Sequence, residues 1–387
     1  MTKEQEYYIR ILTDYITGRN SVHENILDWS QFALLSRRHQ TDGIVFYQCR
    51  EFMPQEVLEK FKKAYDAALY CSLRRSVEMS AISSAFHALG IEFFTIKGWC
   101  ICHYYPVPQL RTMGDLDLVI HREDRMKANE YLLRHGYSIV TQLQDREWQY
   151  EKNGLEYELH DHLIYDETIN LKSHEEFFND FWPYVREGKL DVSFHFLFLL
   201  AHLRKHLMNS GAGFRMFMDL ALMSMKETEL NWSWIRERLD KLEIKEFARI
   251  CFALIERWFG IKMPIESAAL DEGFYEKATQ SVFANGIFGF DNKENRKNMA
   301  VNKARRGSTF AMLSSVADSI FPSYHRMLNS PHYRYLDDRP YLLPVAWTHR
   351  MLRGLKNYNK AVSLVSFGFA TKKEVSRRDE YLKKWGL

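Results

Sequence analysis

The chain has 387 residues, of which 46% are hydrophobic, 27% charged and 14% aromatic, and its net charge is +3. Such a composition belongs to a globular protein with large apolar cores and excludes disorder over most of the length. The charge is too small to signal DNA binding, although it suits a phosphate-bearing small molecule.

The opening MTKEQEYYIR is polar and lacks the apolar core of a signal peptide. No uninterrupted run of 18 apolar residues offers a membrane span. Cys49, Cys71, Cys100, Cys102 and Cys251 are odd in number and fit no disulfide framework, which points to reduced thiols in the cytoplasm.

Residues 1 to about 90 carry apolar residues three and four apart and predict helices, in EQEYYIRILTDYI, DWSQFALLSRRH and the long stretch from Pro54 to Gly90. Pro54 marks a helix start and Gly90 a helix stop. IEFFTI (91–96) then reads as a short strand. KGWCICHYYPVPQLRTMG follows as a loop broken by Pro106 and Pro108. DLDLVI is the next strand, REDRMKANEYLLRHGY (122–137) an amphipathic helix, and SIVTQL, EWQYEK and LEYELHDHLI (155–164) further strands. This alternation predicts a small mixed sheet backed by helices over 91–175.

From about 176 to 387 the pattern is again mostly helical, in FHFLFLLAHLRKHLM, FRMFMDLALMSM, WSWIRERLDKLEI and KEFARICFALIERWF. DNKENRKNMAVNKARRGS (291–308) reads as a polar, basic loop or exposed helix. TKKEVSRRDEYLKKWGL reads as a charged, solvated tail. Three regions result, 1–90, 91–175 and 176–387.

The chemistry concentrates in RTMGDLDLVI (111–120). Residues i and i+2 of a strand share a face, so Asp115 and Asp117 project together, roughly 6–7 Å apart along the strand, with Leu116, Leu118 and Ile120 on the core side. Paired carboxylates repel unless a cation lies between them. Magnesium or manganese, held by one or two carboxylates and by substrate phosphates, meets that need. A third carboxylate from a neighbouring strand would complete a two-metal site for in-line attack on phosphorus. In LEYELHDHLI the alternation sets Glu156, Glu158 and His160 on one face. Glu158 is the expected third ligand, with Glu156 and Asp161 in reserve. A bare D-x-D on its own reads sooner as a solvated polar turn, so its context matters.

That context is Lys97–Gly98 after a short strand, then Tyr105, Pro106, Pro108, Arg111, Gly114, Asp115 and Asp117 in the pattern Y-P-x-P-x-x-R-x-x-x-D-x-D, and later Glu158-Leu159-His160. The combination resembles the uncharacterised bacterial nucleotidyltransferase family, a branch of the DNA-polymerase-β-like nucleotidyltransferase superfamily. HLRKHLMNSGAGFRMFMDLALM (202–223) resembles its helix pair, with His206, Arg215 and Asp219 at matching places, and residues 321–355 resemble its closing segment.

The resemblance implies an α+β fold with a polymerase-β-like core between helical N- and C-terminal regions. It implies transfer of a nucleoside monophosphate from an NTP to an acceptor (small molecule, sugar, protein or RNA) with release of pyrophosphate. Asp115, Asp117 and Glu158 would be catalytic and hold Mg2+ or Mn2+. Lys97, Gly98, Arg111, Gly114, His206, Arg215 and Asp219 would bind the nucleotide. Lys97 and Arg111 would meet the triphosphate as cations, and Gly98 would admit backbone N–H groups. One departure stands out. Trp99 follows Gly98 where the wider superfamily has serine, which leaves a non-catalytic nucleotide- or partner-binding member as the alternative.

Other patterns carry less. Cys100-x-Cys102-His103 has no second ligand pair for structural zinc and reads as buried, reduced cysteines. His195, His202 and His206 share one helical stripe and read as satisfied helical or cleft-lining histidines. Arg215 and Asp219, four apart, equally fit an intrahelical ion pair.

Overall fold

The computed structural model describes residues 1–23, 28–142, 147–164, 172–287, 301, 321–328, 331–356 and 372–387. The basic segment 291–308 lies outside them, apart from Val301. Four helices open the chain: α1 (Lys3–Thr17), α2 (Trp29–Arg38), α3 (Asp42–Cys49) and α4 (Gln55–Ala88). Thr2 caps α1 through a reciprocal box with Gln5, and Asp28 caps α2. The expected start at Pro54 and stop near Gly90, whose φ is +67°, both hold.

Among the described residues the sheet has five strands, β1 (Phe93–Ile96), β2 (Asp115–Ile120), β3 (Ser138–Thr141), β4 (Trp148–Lys152) and β5 (Leu155–His160), in the order β1-β2-β5-β4-β3. β2 and β5 run parallel and every other pairing is antiparallel, so the sheet is mixed as expected. Between β1 and β2 lie α5 (Gly98–Ile101) and two short 3-10 turns. Helix α6 (Arg125–Arg134) separates β2 from β3. The remaining helices used below are α7 (Lys172–Asn179), α8 (Val192–Asn209), α9 (Phe214–Lys226), α10 (Trp232–Lys241), α11 (Lys245–Phe259) and α12 (Glu272–Asn285).

Two strands appear where the periodicity predicts only helix. Val185–Arg186 pairs antiparallel with Lys189–Leu190 across Glu187–Gly188. Both turn residues have positive φ, +51° and +68°, the requirement of a tight hairpin turn.

Two large cores flank the sheet. Leu116, Leu118 and Ile120 of β2, with Leu155, Tyr157 and Leu159 of β5, pack against Met79, Ile82 and Phe86 of α4 and Ala128 and Leu132 of α6. The opposite face meets a larger helical core through Phe94 and Ile96 of β1 and Val119 of β2. That core joins α1–α3 to α8–α12; Tyr8, for instance, packs its ring near Phe214 and Phe283. Val119, Asp117 and Asp115 follow one another along the same strand face. The polar site therefore lies where this face runs out from under the helical core.

The C-terminal segment is not a purely solvated tail. Helix Lys372–Lys383 leaves Lys373, Arg377, Glu380 and Lys383 exposed but buries Tyr381 and Leu382, and Trp385 beyond it packs on Phe274 of α12. A third, small cluster within 321–356 gathers Met327, Tyr333, Leu336 and Ala346.

Candidate active site on the carboxylate face of the sheet

The parallel pairing of β2 with β5 sets Asp115 beside Glu156 and Asp117 beside Glu158. Because side chains alternate, Asp115, Asp117, Glu158 and His160 rise from one face while their leucine and tyrosine neighbours enter the core. Asp117, Glu158 and His160 each offer one ligand atom, and these atoms lie within 4.8 Å of one another. Among the described residues they form the one such group of three or more.

Asp117 is 2% exposed and its Oδ1 takes two cationic donors. Lys97 Nζ lies 2.6 Å away and His160 Nε2 2.9 Å away. His160 Nε2 is also 3.3 Å from Glu158 Oε2, while Gln149 of β4 donates to Glu158 Oε1 at 3.0 Å. Burial opposes charge throughout this cluster, and the pairings decide the outcome. Lys97 and His160 hold Asp117 and Glu158 below their ordinary range, and the two carboxylates raise His160 to about 9.

Asp115 behaves differently. Burial and the charges of Asp117 and Glu158 raise its pKa, against the pull of Lys97. Its carboxylate takes a hydrogen bond from its own backbone N–H and, among the described residues, forms no ion pair. A half-buried carboxylate crowded by two others is a group that a cation would stabilise. The oxygen donors of Asp115, Asp117 and Glu158 suit Mg2+ or Mn2+, and the imidazole of His160 adds a nitrogen that Mn2+ also accepts.

Lys97 reaches the cluster from an unusual backbone. Its φ and ψ are 54° and −128°, a glycine-favoured region that costs an L-residue on the order of 1–3 kcal/mol. Its N–H donates to Nε2 of His195 on α8 at 3.1 Å. His195 must be neutral to accept that bond, and burial holds its pKa down to about 4.

The other expected nucleotide contacts lie around this centre, several already engaged. Arg111 turns to Asp219 of α9, with Nε 3.2 Å from Oδ1 and Nη2 2.7 Å from Oδ2; Tyr105 donates to the same Oδ1 at 2.7 Å. Asp219 is therefore the partner of Arg111 across the fold, and the ion pair is not the intrahelical one with Arg215. The Arg215 guanidinium donates through Nη1 to the Thr112 carbonyl at 2.7 Å, to Thr112 Oγ1 at 2.9 Å and to Gln40 at 3.3 Å. Burial and the Arg111 charge lower its pKa to about 10.

His206 Nε2 is 3.1 Å from His202 Nε2, and burial keeps both imidazoles neutral near pH 7. The Gly114 carbonyl accepts from Arg75 of α4 at 2.9 Å, which anchors the start of β2. Of the reserve carboxylates, Glu156 is exposed, and Asp161 is held by Arg125 at 2.8 Å. The five cysteines are free, as expected.

Strand alternation puts His160 on the carboxylate face of LEYELH without marking it as a ligand. The strand alternation that selected Glu158 selects His160 equally. Gln149 carried no such signal, because only the register of β4 against β5 brings it to Glu158.

Comparison with protein families matches residues 25–260, more than half of the chain, to the family described as uncharacterised nucleotidyltransferase. The chain belongs to this family. The matched span includes the whole sheet, α8, α9 and α11, and leaves out α1 and residues 321–355. No curated protein and no solved structure matches the chain. Membership supports a transferase that draws on an NTP. No helix among the described residues is long and apolar enough to cross a membrane.

Proposed function

We propose that the sheet is a polymerase-β-like nucleotidyltransferase core. It would transfer a nucleoside monophosphate from an NTP to an acceptor, with release of pyrophosphate. The observation that carries the reading is the convergence of Asp117, Glu158 and His160 on one point, beside the half-buried carboxylate of Asp115.

Asp115, Asp117 and Glu158 would hold Mg2+ or Mn2+, with His160 at the edge of the set. Such ions, when bound, neutralise the phosphates and activate the attacking oxygen. The protein's own part is positioning and electrostatics. Lys97 carries a permanent positive charge into the cluster, since the surrounding carboxylates raise its pKa above the ordinary lysine value. With a nucleotide present, that ammonium can pass from Asp117 to a phosphate oxygen. Gln149 fixes the Glu158 carboxylate, and the hydrophobic face beneath β2 and β5 keeps the two strands in register. Arg215, which among the described residues donates to the neutral acceptors Thr112 and Gln40, supplies a second cation near Asp115 for the triphosphate.

Trp99 in the place of the usual serine favours a second reading, a member that binds nucleotides or partners without turnover. A labelled-NTP assay with Mg2+ or Mn2+ against protein, RNA and small metabolites separates the two. Transfer that Asp117→Asn abolishes supports the enzyme. Absence of turnover with every NTP, together with metal-dependent nucleotide binding, favours the second reading.

A further inference from the structure

The Lys97–Gly98 step is fixed from three directions. The Lys97 N–H is bonded to His195, and its ammonium to Asp117. Gly98 lies against the Arg111 guanidinium. A Cβ added to Gly98 would collide with Arg111 Nη1 and stand 3.2 Å from Met113 Cβ. The glycine here makes room for a guanidinium, which explains the residue without any approaching phosphate.

That guanidinium has nowhere to retreat. Nε and Nη2 are both on Asp219, Nη1 is 3.3 Å from the Thr112 carbonyl, and Tyr105 donates to the Asp219 Oδ1 that Nε also uses. Arg111 is 9% exposed. Its contacts leave it no free fork for a triphosphate, yet it presses on the one residue that follows Lys97. Meanwhile Lys97 holds a left-handed backbone that an unconstrained lysine would leave.

We propose that Arg111, Asp219 and His195 are positioning residues: they hold the Lys97–Gly98 backbone in its left-handed turn and so aim the Lys97 ammonium into the carboxylate cluster, where it meets the NTP phosphates. The ligand in this assignment rests on the nucleotidyltransferase reading; the clamp rests on the contacts alone. Arg111 then acts through Gly98 and Lys97, and Asp219 acts through Arg111. The strained turn places the lysine without a long search among side-chain rotamers, which is what a preorganised charge requires.

The test uses Gly98→Ala, which keeps every side chain named above and adds one methyl group. Binding of Mn2+ with non-hydrolysable analogues of the four NTPs is measured by calorimetry, and the variant's crystal structure is determined. The expected result is affinity roughly 10-fold or more below wild type, the scale of a misplaced binding group, with Lys97 Nζ withdrawn from Asp117. Gly98→Ala combined with Arg111→Lys removes the branch that the methyl meets and keeps a cation for Asp219. The methyl then takes the guanidinium's place against the Lys97–Gly98 step, so this variant should return Lys97 to Asp117 and recover most of the affinity.

Wild-type affinity in Gly98→Ala with Lys97 still on Asp117 overturns the proposal, as does a double variant no better than the single one. Should Gly98→Ala not fold, His195→Gln and His195→Leu carry the test. Glutamine retains an acceptor for the Lys97 N–H and should keep affinity, whereas leucine should lose it; equal affinities overturn the clamp. If the wild-type protein binds none of the four analogues, the nucleotidyltransferase reading fails. The position of Lys97 in the variant crystals still decides the clamp in that case.

Discussion

The two faces of strand β2 differ in what they do for the protein. One presents Leu116, Leu118 and Ile120 to a close-packed core in which each of them is almost wholly buried. The other presents Asp117, which Lys97 and His160 stabilise as an anion, and Asp115, which burial and the charges of Asp117 and Glu158 disfavour as one. The leucine face stores stability, and on the aspartate face Asp115 draws on it. The pairing of strands lets one six-residue segment carry both, because alternation keeps the two chemistries from meeting.

The largest test of this contrast is Asp115→Asn. Turnover should fall on the order of 10^3-fold, the scale of losing a preorganised group at the reacting centre. The metal-free protein should at the same time melt no lower than wild type, because one of three crowded charges is gone. A clear fall in melting temperature would mean that Asp115 supports the fold. Ile120→Ala addresses the other face. It should cost about 2–5 kcal/mol in chemical denaturation, as for other buried truncations, with turnover per folded molecule kept.

A smaller effect follows from His160. Its folded pKa of about 9 lies above the ordinary histidine value, so its contribution to stability is complete below about pH 6.5 and is lost as pH rises through about 9. Asp117 and Glu158 are shifted down, so their contribution is lost in acid. Metal-free protein should therefore be most stable in mildly acidic buffer, and melting curves across pH 4–10 would check this. Stabilisation by Mn2+ should grow with pH over the range where His160 loses its proton. The smallest expected change is Glu156→Gln, on the exposed edge of the same face. It should alter stability by no more than about 0.5 kcal/mol and leave turnover near wild type, in contrast to Glu158→Gln.

Much of this was readable from spacing. The period of two in DLDLVI and LEYELH fixed which side chains share a face, and the structure places them so. The long amphipathic helix α11 was equally legible, since its apolar stripe has one explanation. What could not be read depends on contacts distant in sequence. Arg111 pairs with Asp219, 108 residues away, and no local pattern distinguishes that partner from Arg215 four residues before it. The hairpin at Glu187–Gly188 escaped because glutamate at positive φ is not a customary turn signal. The burial of Trp385 was hidden by the lysines and arginines around it, which dominate the average while a single face is apolar.

Helix α4 has a consequence for how the molecule comes apart. Its 34 residues extend about 50 Å at 1.5 Å per residue. Phe61 near one end belongs to the helical core, while Met79, Ile82 and Phe86 near the other belong to the core beneath the sheet. Arg75 between them grips the entrance to β2. A rigid rod shared by two cores couples their fluctuations, because neither can open without loosening the helix that the other needs. Amide hydrogens in the middle of α4 should then exchange with the same protection as those of β2, and the two cores should lose it together as a single cooperative unit.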